Sequence, residues 1–205
     1  MKIAVLVEGR TEQAFLPHLR RFLETRLAGH MPRLDPVPYD GRIPTGERLK
    51  REVERLLRSG NPPADAVVAL TDVYTGTGEF RDAQDAKKKM REWVGDNNRF
   101  HPHAAQYEFE AWLLPFWETI QRLAGHNRIA PSGPPEAVNL TRPPSVRIEE
   151  VFSAGTCRSR YVKPRDAGRI LRENDLLVAA HACPELRAFL NTILGLCRGE
   201  CVQAP

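Results

Sequence analysis

No apolar run in this 205-residue chain approaches the roughly 20 residues that a membrane-spanning helix needs. The longest stretches, such as Leu176 to Ala180, are short, so no membrane partner is expected. One lysine and five apolar residues precede Glu8, too few for a secretory signal, and the expected location is the cytoplasm. Cysteine is sparse: Cys157, Cys183, Cys197 and Cys201 form no disulfide framework and read as reduced thiols. His101-x-His103 is a lone pair without a third ligand, so the two are expected to be packed or exposed and zinc is not expected. A Gly-x-x-x-x-Gly-Lys-Ser/Thr loop is missing, which leaves any ATPase activity to another chain. Internal repeats and low-complexity tracts are absent too.

Lysine is scarce as well, with six lysines among thirty basic residues, three of them in the run Lys87-Lys88-Lys89. That run reads as a solvated helix face. A net charge of +4 and a pI near 9.0 permit a polyanionic partner without requiring one. Aromatic residues are not interleaved with basic ones densely enough to mark a stacking platform for single strands.

What is present is an alternation of strand and helix. Ile3 to Val7 reads as a buried strand, followed by a helix opened by Thr11 with Ala14, Phe15, Leu16, Leu19, Phe22 and Leu23 on its apolar face. Leu34 to Tyr39 reads as a proline-interrupted strand with a helix from Gly46 to Arg58 behind it. Ala66 to Asp72 and Phe100 to Ala105 read as two further strands, each leading into a helix. Such alternation is the signature of an α/β fold with a mostly parallel sheet flanked by helices. Residues 1–205 are expected to form a single domain: an α/β core over 1–118, a proline-rich surface loop over 125–144, and a helical C-terminal part over 146–200. Three helices are expected in that last part, and a loop of this length is often a lid or a docking element.

The acids at the strand ends carry the chemistry. Glu8 closes the first strand and is followed by Gly9, which would allow a tight turn, and by Glu12, which suits a helix first turn. Asp72 closes the third, ahead of a glycine-bearing loop. Glu108 and Glu110 open the helix after the fourth strand; two apart, they would point differently on a helix, and Glu108 is the nearer to the strand end. Ligands of open α/β sheets bind outside the carboxyl ends of the strands, so Glu8 and Asp72 are the natural metal or acid/base candidates if their strands are neighbours. Magnesium takes hard oxygen ligands and needs only one or two carboxylates beside waters and phosphate oxygens, which Glu8 and Asp72 can supply. The segment Cys157-Arg158-Ser159-Arg160-Tyr161-Val162-Lys163-Pro164-Arg165 is a dense basic patch suited to phosphate contacts through Arg158, Arg160 and Arg165. Lys163 reads either as a solvated residue at a helix entrance or as a point charge stabilising a phosphate transition state.

Taken together, Val7-Glu8-Gly9-Arg10-Thr11-Glu12, Asp72-Val73-Tyr74-Thr75-Gly76, Gln106-Tyr107-Glu108-Phe109-Glu110-Ala111, Tyr161-Val162-Lys163 and Gly168-Arg169-Ile170 resemble the Toprim-like domains of OLD-family nucleases. Among these the pattern is most similar to the domain-of-unknown-function family 4276. The resemblance implies a Toprim/Rossmann-like fold that binds Mg²⁺ or Mn²⁺ through Glu8, Asp72 and Glu108 or Glu12. It also implies action on phosphodiester bonds, with Glu8, Asp72 and Lys163 in catalytic roles. Nucleic acid would be the substrate, DNA ahead of RNA, and a separately encoded ATPase the partner, in phage defence or DNA repair. One position departs from the Toprim pattern: Tyr74 stands where Asp-x-Asp would place a second acid, which leaves fewer anionic oxygens for a second ion. Tyr107 stands where the smaller family often carries histidine. Two other readings use the same residues. One is a non-catalytic interaction module of an ATPase-containing complex, and the other a nucleotide-binding protein with Thr75-Gly76-Thr77-Gly78 as a phosphate cradle.

Overall fold

The computed structural model describes residues 1–29, 31–59, 61–74, 76–138, 142–157 and 160–205. Four strands, β1 (Lys2–Val7), β2 (Arg33–Pro38), β3 (Ala66–Asp72) and β4 (Phe100–Ala105), form one sheet in the order β2-β1-β3-β4 with every pairing parallel. The register sets Val7 beside Leu70 and Asp72 beside Ala105. Glu8 and Asp72 therefore leave neighbouring strands on the same edge of the sheet. The chain moves outward one way from β1 to β2 and the other way from β3 to β4, so the gap between β1 and β3 is the topological switch point of the sheet.

Strands buried on both faces are expected to be apolar throughout, and β1 and β3 are. Ile3, Val5 and Val7, with Val68 and Leu70, face one core; Ala4 and Leu6, with Val67 and Ala69, face the other. The second core is covered by α2 (Gly46–Ser59) and α3 (Ala83–Val94) through Leu49, Val53, Ala86 and Met90. The first takes α1 (Arg10–Glu24), a 3-10 helix over Phe109–Phe116, α4 (Trp117–Ala124), α5 (Pro144–Ala154), α6 (Lys163–Arg172), α7 (Leu176–Ala182) and α8 (Pro184–Leu196). At its centre Phe15, Phe109, Trp112 and Phe189 pack with ring centroids 5.4 to 6.2 Å apart. The outer strand β2 carries Pro36 and Pro38, which lack the N–H that a further strand would need.

Several expectations are corrected. Among the described residues four helices follow residue 143, because Asp175 caps α7 through the Leu177 N–H and Pro184 starts a fresh helix after Cys183. The segment after Glu108 winds as a 3-10 helix, and Pro115 within it removes one backbone donor. The 125–144 connection has a short 3-10 turn at Pro135–Ala137 that is tied down: Glu136 accepts hydrogen bonds from Trp112 Nε1 at 3.0 Å and from the Glu185 N–H at the start of α8. Residues 139–141 lie outside the described set. Lys87 is not solvated. It lies on the helix face shared with Ala83, Ala86 and Met90 and pairs with Glu185 at 2.6 Å, while Lys88 remains exposed. His103 is buried against Phe189 with Nε2 2.9 Å from Thr192 Oγ1, and burial lowers its pKa to about 3, as a packed, neutral histidine requires. The described cysteines are free thiols, and no helix among the described residues is long and apolar enough to cross a membrane.

Candidate functional site

The carboxyl ends of β1, β3 and β4 gather four carboxylates, Glu8, Glu12, Glu108 and Glu110, within electrostatic reach of a fifth, Asp72. Glu8 is the first residue past β1, and its Oε1 accepts a hydrogen bond from the Thr71 hydroxyl on the adjacent strand. Gly9 caps α1 with extended backbone that any residue could adopt, so the turn itself does not demand glycine. A methyl group there would sit 3.5 Å from Glu12 Oε2, ordinary contact distance. Glu12 lies one turn into α1, is 6% exposed, and occupies the first-turn position that favours an acid.

Asp72 and the acids after β4 are tied by the backbone. Tyr107 adopts a left-handed conformation (φ 69°), which turns the chain back so that the Phe109 N–H reaches Asp72 Oδ1 at 2.9 Å. Glu108 is still extended (φ −145°, ψ 155°) and precedes the helix, so the angular rule that would let only one of the two glutamates face the site does not apply. Glu108 Oε2 accepts from the Ser145 N–H at 2.9 Å. Glu110, 1% exposed, pairs with Lys163 Nζ at 3.3 Å, and the half-buried Tyr161 lies close enough for its hydroxyl to feel Glu110 first among its charged neighbours. Glu110 thus stands in the acidic cluster beside Glu108, a neighbour that the sequence reading set aside. The clue was its identity with Glu108 in charge, with a lone lysine downstream that needs a partner.

Electrostatics follow from burying like charges together. Glu8 is raised from the ordinary 4.5 to about 7, first by burial and then by Glu12, against the opposing pull of the Thr71 hydroxyl, the Asp72 N–H and Arg42. Asp72 is raised well above the usual range by burial, then by Glu12, Glu8, Glu110 and Glu108. Glu12 and Glu110 are raised by burial and eased by Lys163. Lys163 loses some basicity to burial, but Glu110, Glu108 and Asp72 more than restore it, so it stays charged. Arg42, from the loop after β2, is a second cation near Glu8. It pairs with Glu79 of the β3 to α3 loop, and no sequence signal pointed to it.

This is a set of hard oxygen donors with excess negative charge, the chemistry that Mg²⁺ or Mn²⁺ satisfies. Glu8, Glu12 and Asp72 are the residues that would hold such an ion, with Glu108 beside them. Among the described residues no group of three or more His, Cys, Asp or Glu side chains is disposed to hold a metal ion as it stands, so an ion here would draw on one or two carboxylates or on side chains that shift to meet it, and Tyr74 adds no second acid after Asp72. The basic patch is less gathered. Arg165 is committed to Asp166 at 2.8 Å and to the Arg160 carbonyl at 3.3 Å, Arg160 is exposed, and Arg158 lies outside the described residues.

A comparison with solved structures finds the C-terminal region of the Burkholderia pseudomallei OLD protein, at 12% identity and a TM-score of 0.52, covering 96% of this chain and 98% of that one. At that identity the likeness concerns the fold, and it agrees with the Toprim-like resemblance of the motifs. No curated protein matches. A family model described as "Domain of unknown function (DUF4276)" matches residues 7–194, and the chain belongs to that family.

Proposed function

We propose that this chain is a divalent-metal-dependent, Toprim-like phosphodiesterase acting on nucleic acid, DNA ahead of RNA. In this reading it forms one cytoplasmic domain that works with a separately encoded ATPase. The observation that carries the reading is the burial of Glu8, Glu12 and Asp72 together at the switch point of the sheet, where loss of solvent raises all three, neighbouring acids raise Glu8 and Asp72 further, and a cation would relieve the charge. A fold gains nothing in stability from gathering unneutralised acids at one strand edge.

Each residue then has a task. Glu8, Asp72 and Glu12 hold Mg²⁺ or Mn²⁺, whose chemistry is to lower the pKa of a bound water and to neutralise charge on a phosphoryl oxygen. Lys163, kept charged by Glu110 and neighbouring the acids, stabilises the phosphate oxygens as charge develops on them. Thr71 fixes the Glu8 carboxylate, and the Phe109 N–H fixes that of Asp72. Arg42 offers a second phosphate contact once it is drawn from Glu79. With tyrosine in place of a second acid at 74, a single ion fits this donor set better than a pair.

The test is cleavage of supercoiled plasmid and of linear DNA in Mg²⁺ or Mn²⁺, with Glu8→Gln and Asp72→Asn beside the wild type. Nicking by the wild type that disappears in both variants supports the assignment. Nicking that survives in both removes these acids from the site.

A further inference from the structure

Tyr74 and Tyr107 are 33 positions apart in the sequence and carry no mark of a pair, yet the fold packs them together, tilted ring against ring, beside the acids that follow β3 and β4. Their ring centroids are 5.3 Å apart with planes inclined by 41°, and the Tyr74 N–H donates to the Tyr107 carbonyl at 2.8 Å. Tyr74 is 43% exposed, an unusual place for a ring of this size, whereas Tyr107 is half-buried behind it. Tyr107 also holds a left-handed φ of 69°, a conformation that costs a bulky residue and persists only where the surroundings enforce it. The same turn carries the chain to Glu108, Phe109 and Glu110. Tyr107, Glu108 and Glu110 are therefore placed by one local device, beside Asp72 and Tyr74 at the end of β3.

We propose that Tyr74, propped from behind by Tyr107, is a stacking platform for one base of a single-stranded nucleic acid whose phosphodiester lies at the Glu8 and Asp72 carboxylates. The inference rests on the proposed nuclease reading and goes beyond it by assigning a base-binding subsite and a preference for unpaired strands. Three features fix the occupant. One residue separates Tyr74 from Asp72, so their Cα atoms are at most about 7 Å apart and a nucleotide held at the acids can bring its base to the ring. A ring held by a backbone hydrogen bond and a neighbouring ring has little freedom left to lose on binding, which favours stacking at low entropic cost. The face offered is aromatic and uncharged while cations flank the acids at Lys163 and Arg42, the division of labour in which phosphates meet charge and bases meet π-faces. A base inside a duplex is already stacked on both sides and cannot use such a face, so the platform selects unpaired strands or frayed ends.

The experiment is fluorescence anisotropy at fixed low salt with Ca²⁺ in place of Mg²⁺, so that a cation can neutralise the acids, with gel analysis to confirm that the probes stay intact. The probes are a labelled oligodeoxythymidylate and an abasic backbone oligomer of equal length. The wild type is expected to bind the base-bearing strand more tightly. Tyr74→Ala should weaken that strand roughly 5- to 150-fold, the range that loss of one stacking aromatic gives, and leave the abasic strand unchanged. Tyr74→Phe and Tyr74→Trp, which keep the π-face, should bind like the wild type. Wild-type binding that treats the two strands alike, or that survives Tyr74→Ala undiminished, overturns the platform and leaves the nuclease reading standing. Failure of the wild type to bind either strand overturns the nucleic-acid reading, and the platform with it. Tyr74 is a surface residue outside both cores, so a variant that fails to fold is not expected, and circular dichroism of each variant checks this.

Discussion

If the acidic cluster exists for a cation, the metal-free protein is destabilised by it, and removing one charge should make the fold stronger. Glu8→Gln is the cleanest perturbation, because the amide oxygen can still accept from the Thr71 hydroxyl while the charge is gone. Glu8 rises from 4.5 to about 7 in the folded chain, so between those values the folded state holds a proton that the unfolded state has released. Stability therefore falls as pH climbs through that window and levels off above it. At 1.36 kcal/mol per pH unit the cost is on the order of 3 kcal/mol at pH 8 and under about 1 kcal/mol at pH 5. Neutralising Glu8 also eases Asp72, which feels its charge. Urea unfolding in EDTA at both pH values reads the difference between variant and wild type directly. The variant should gain on the order of 3 kcal/mol at pH 8, or roughly 6–12 °C in melting temperature for a chain of this size. It should gain little at pH 5. A variant that is no more stable than the wild type at pH 8, or whose gain is the same at pH 5, would refute the claim that Glu8 is a strained, buried anion.

Other outcomes follow from the same geometry. Lys163→Met should reduce nicking by about 10²- to 10³-fold, as loss of a transition-state charge does. It should also lower the melting temperature by stranding the buried Glu110 carboxylate, which the double variant Glu110→Gln/Lys163→Met should recover without restoring activity. Gly155→Ala should destabilise by about 1–3 kcal/mol in denaturant melts, because the new methyl would lie 1.9 Å from the Ala124 carbonyl oxygen, a backbone atom that cannot swing away. Trp112→Ala should cost about 3–5 kcal/mol and loosen the 135–137 turn together with the start of α8, because the Glu136 that holds both also accepts from the indole. Amide exchange there should rise ahead of exchange in β1. Mn²⁺ affinity of the wild type should fall at least about tenfold per pH unit below pH 7, since the ion must displace the proton that Glu8 holds up to about 7 and any that the raised Asp72 holds.

Much of the sheet was legible because its signals are local. Ile3 to Val7 and Ala66 to Leu70 are continuous apolar runs bounded by breakers, and each proved to be a strand buried on both faces. The acids at their ends were legible for the same reason, since a charge that terminates such a run is conspicuous. Pairings across the fold left no comparable trace. Nothing local announces that Lys87 would turn inward to Glu185, 98 positions away, or that Arg42 would approach Glu8. The choice of Glu108 over Glu110 applied helix angles to a residue whose backbone is extended, and the cause is the left-handed turn at Tyr107, a conformation that residue type alone argues against. That same unforeseen turn sets Tyr107 against Tyr74. A sparse and scattered aromatic content hid a stacked pair that only the parallel pairing of β3 with β4 assembles.

The proposal that Glu8, Glu12 and Asp72 share a single divalent ion is tested most directly by isothermal titration calorimetry with Mn²⁺ at pH 8. One site is expected in the wild type, weakened at least tenfold in Glu8→Gln and in Asp72→Asn. Wild-type protein that takes up no Mn²⁺, or variants that bind it as tightly as the wild type, would contradict the account.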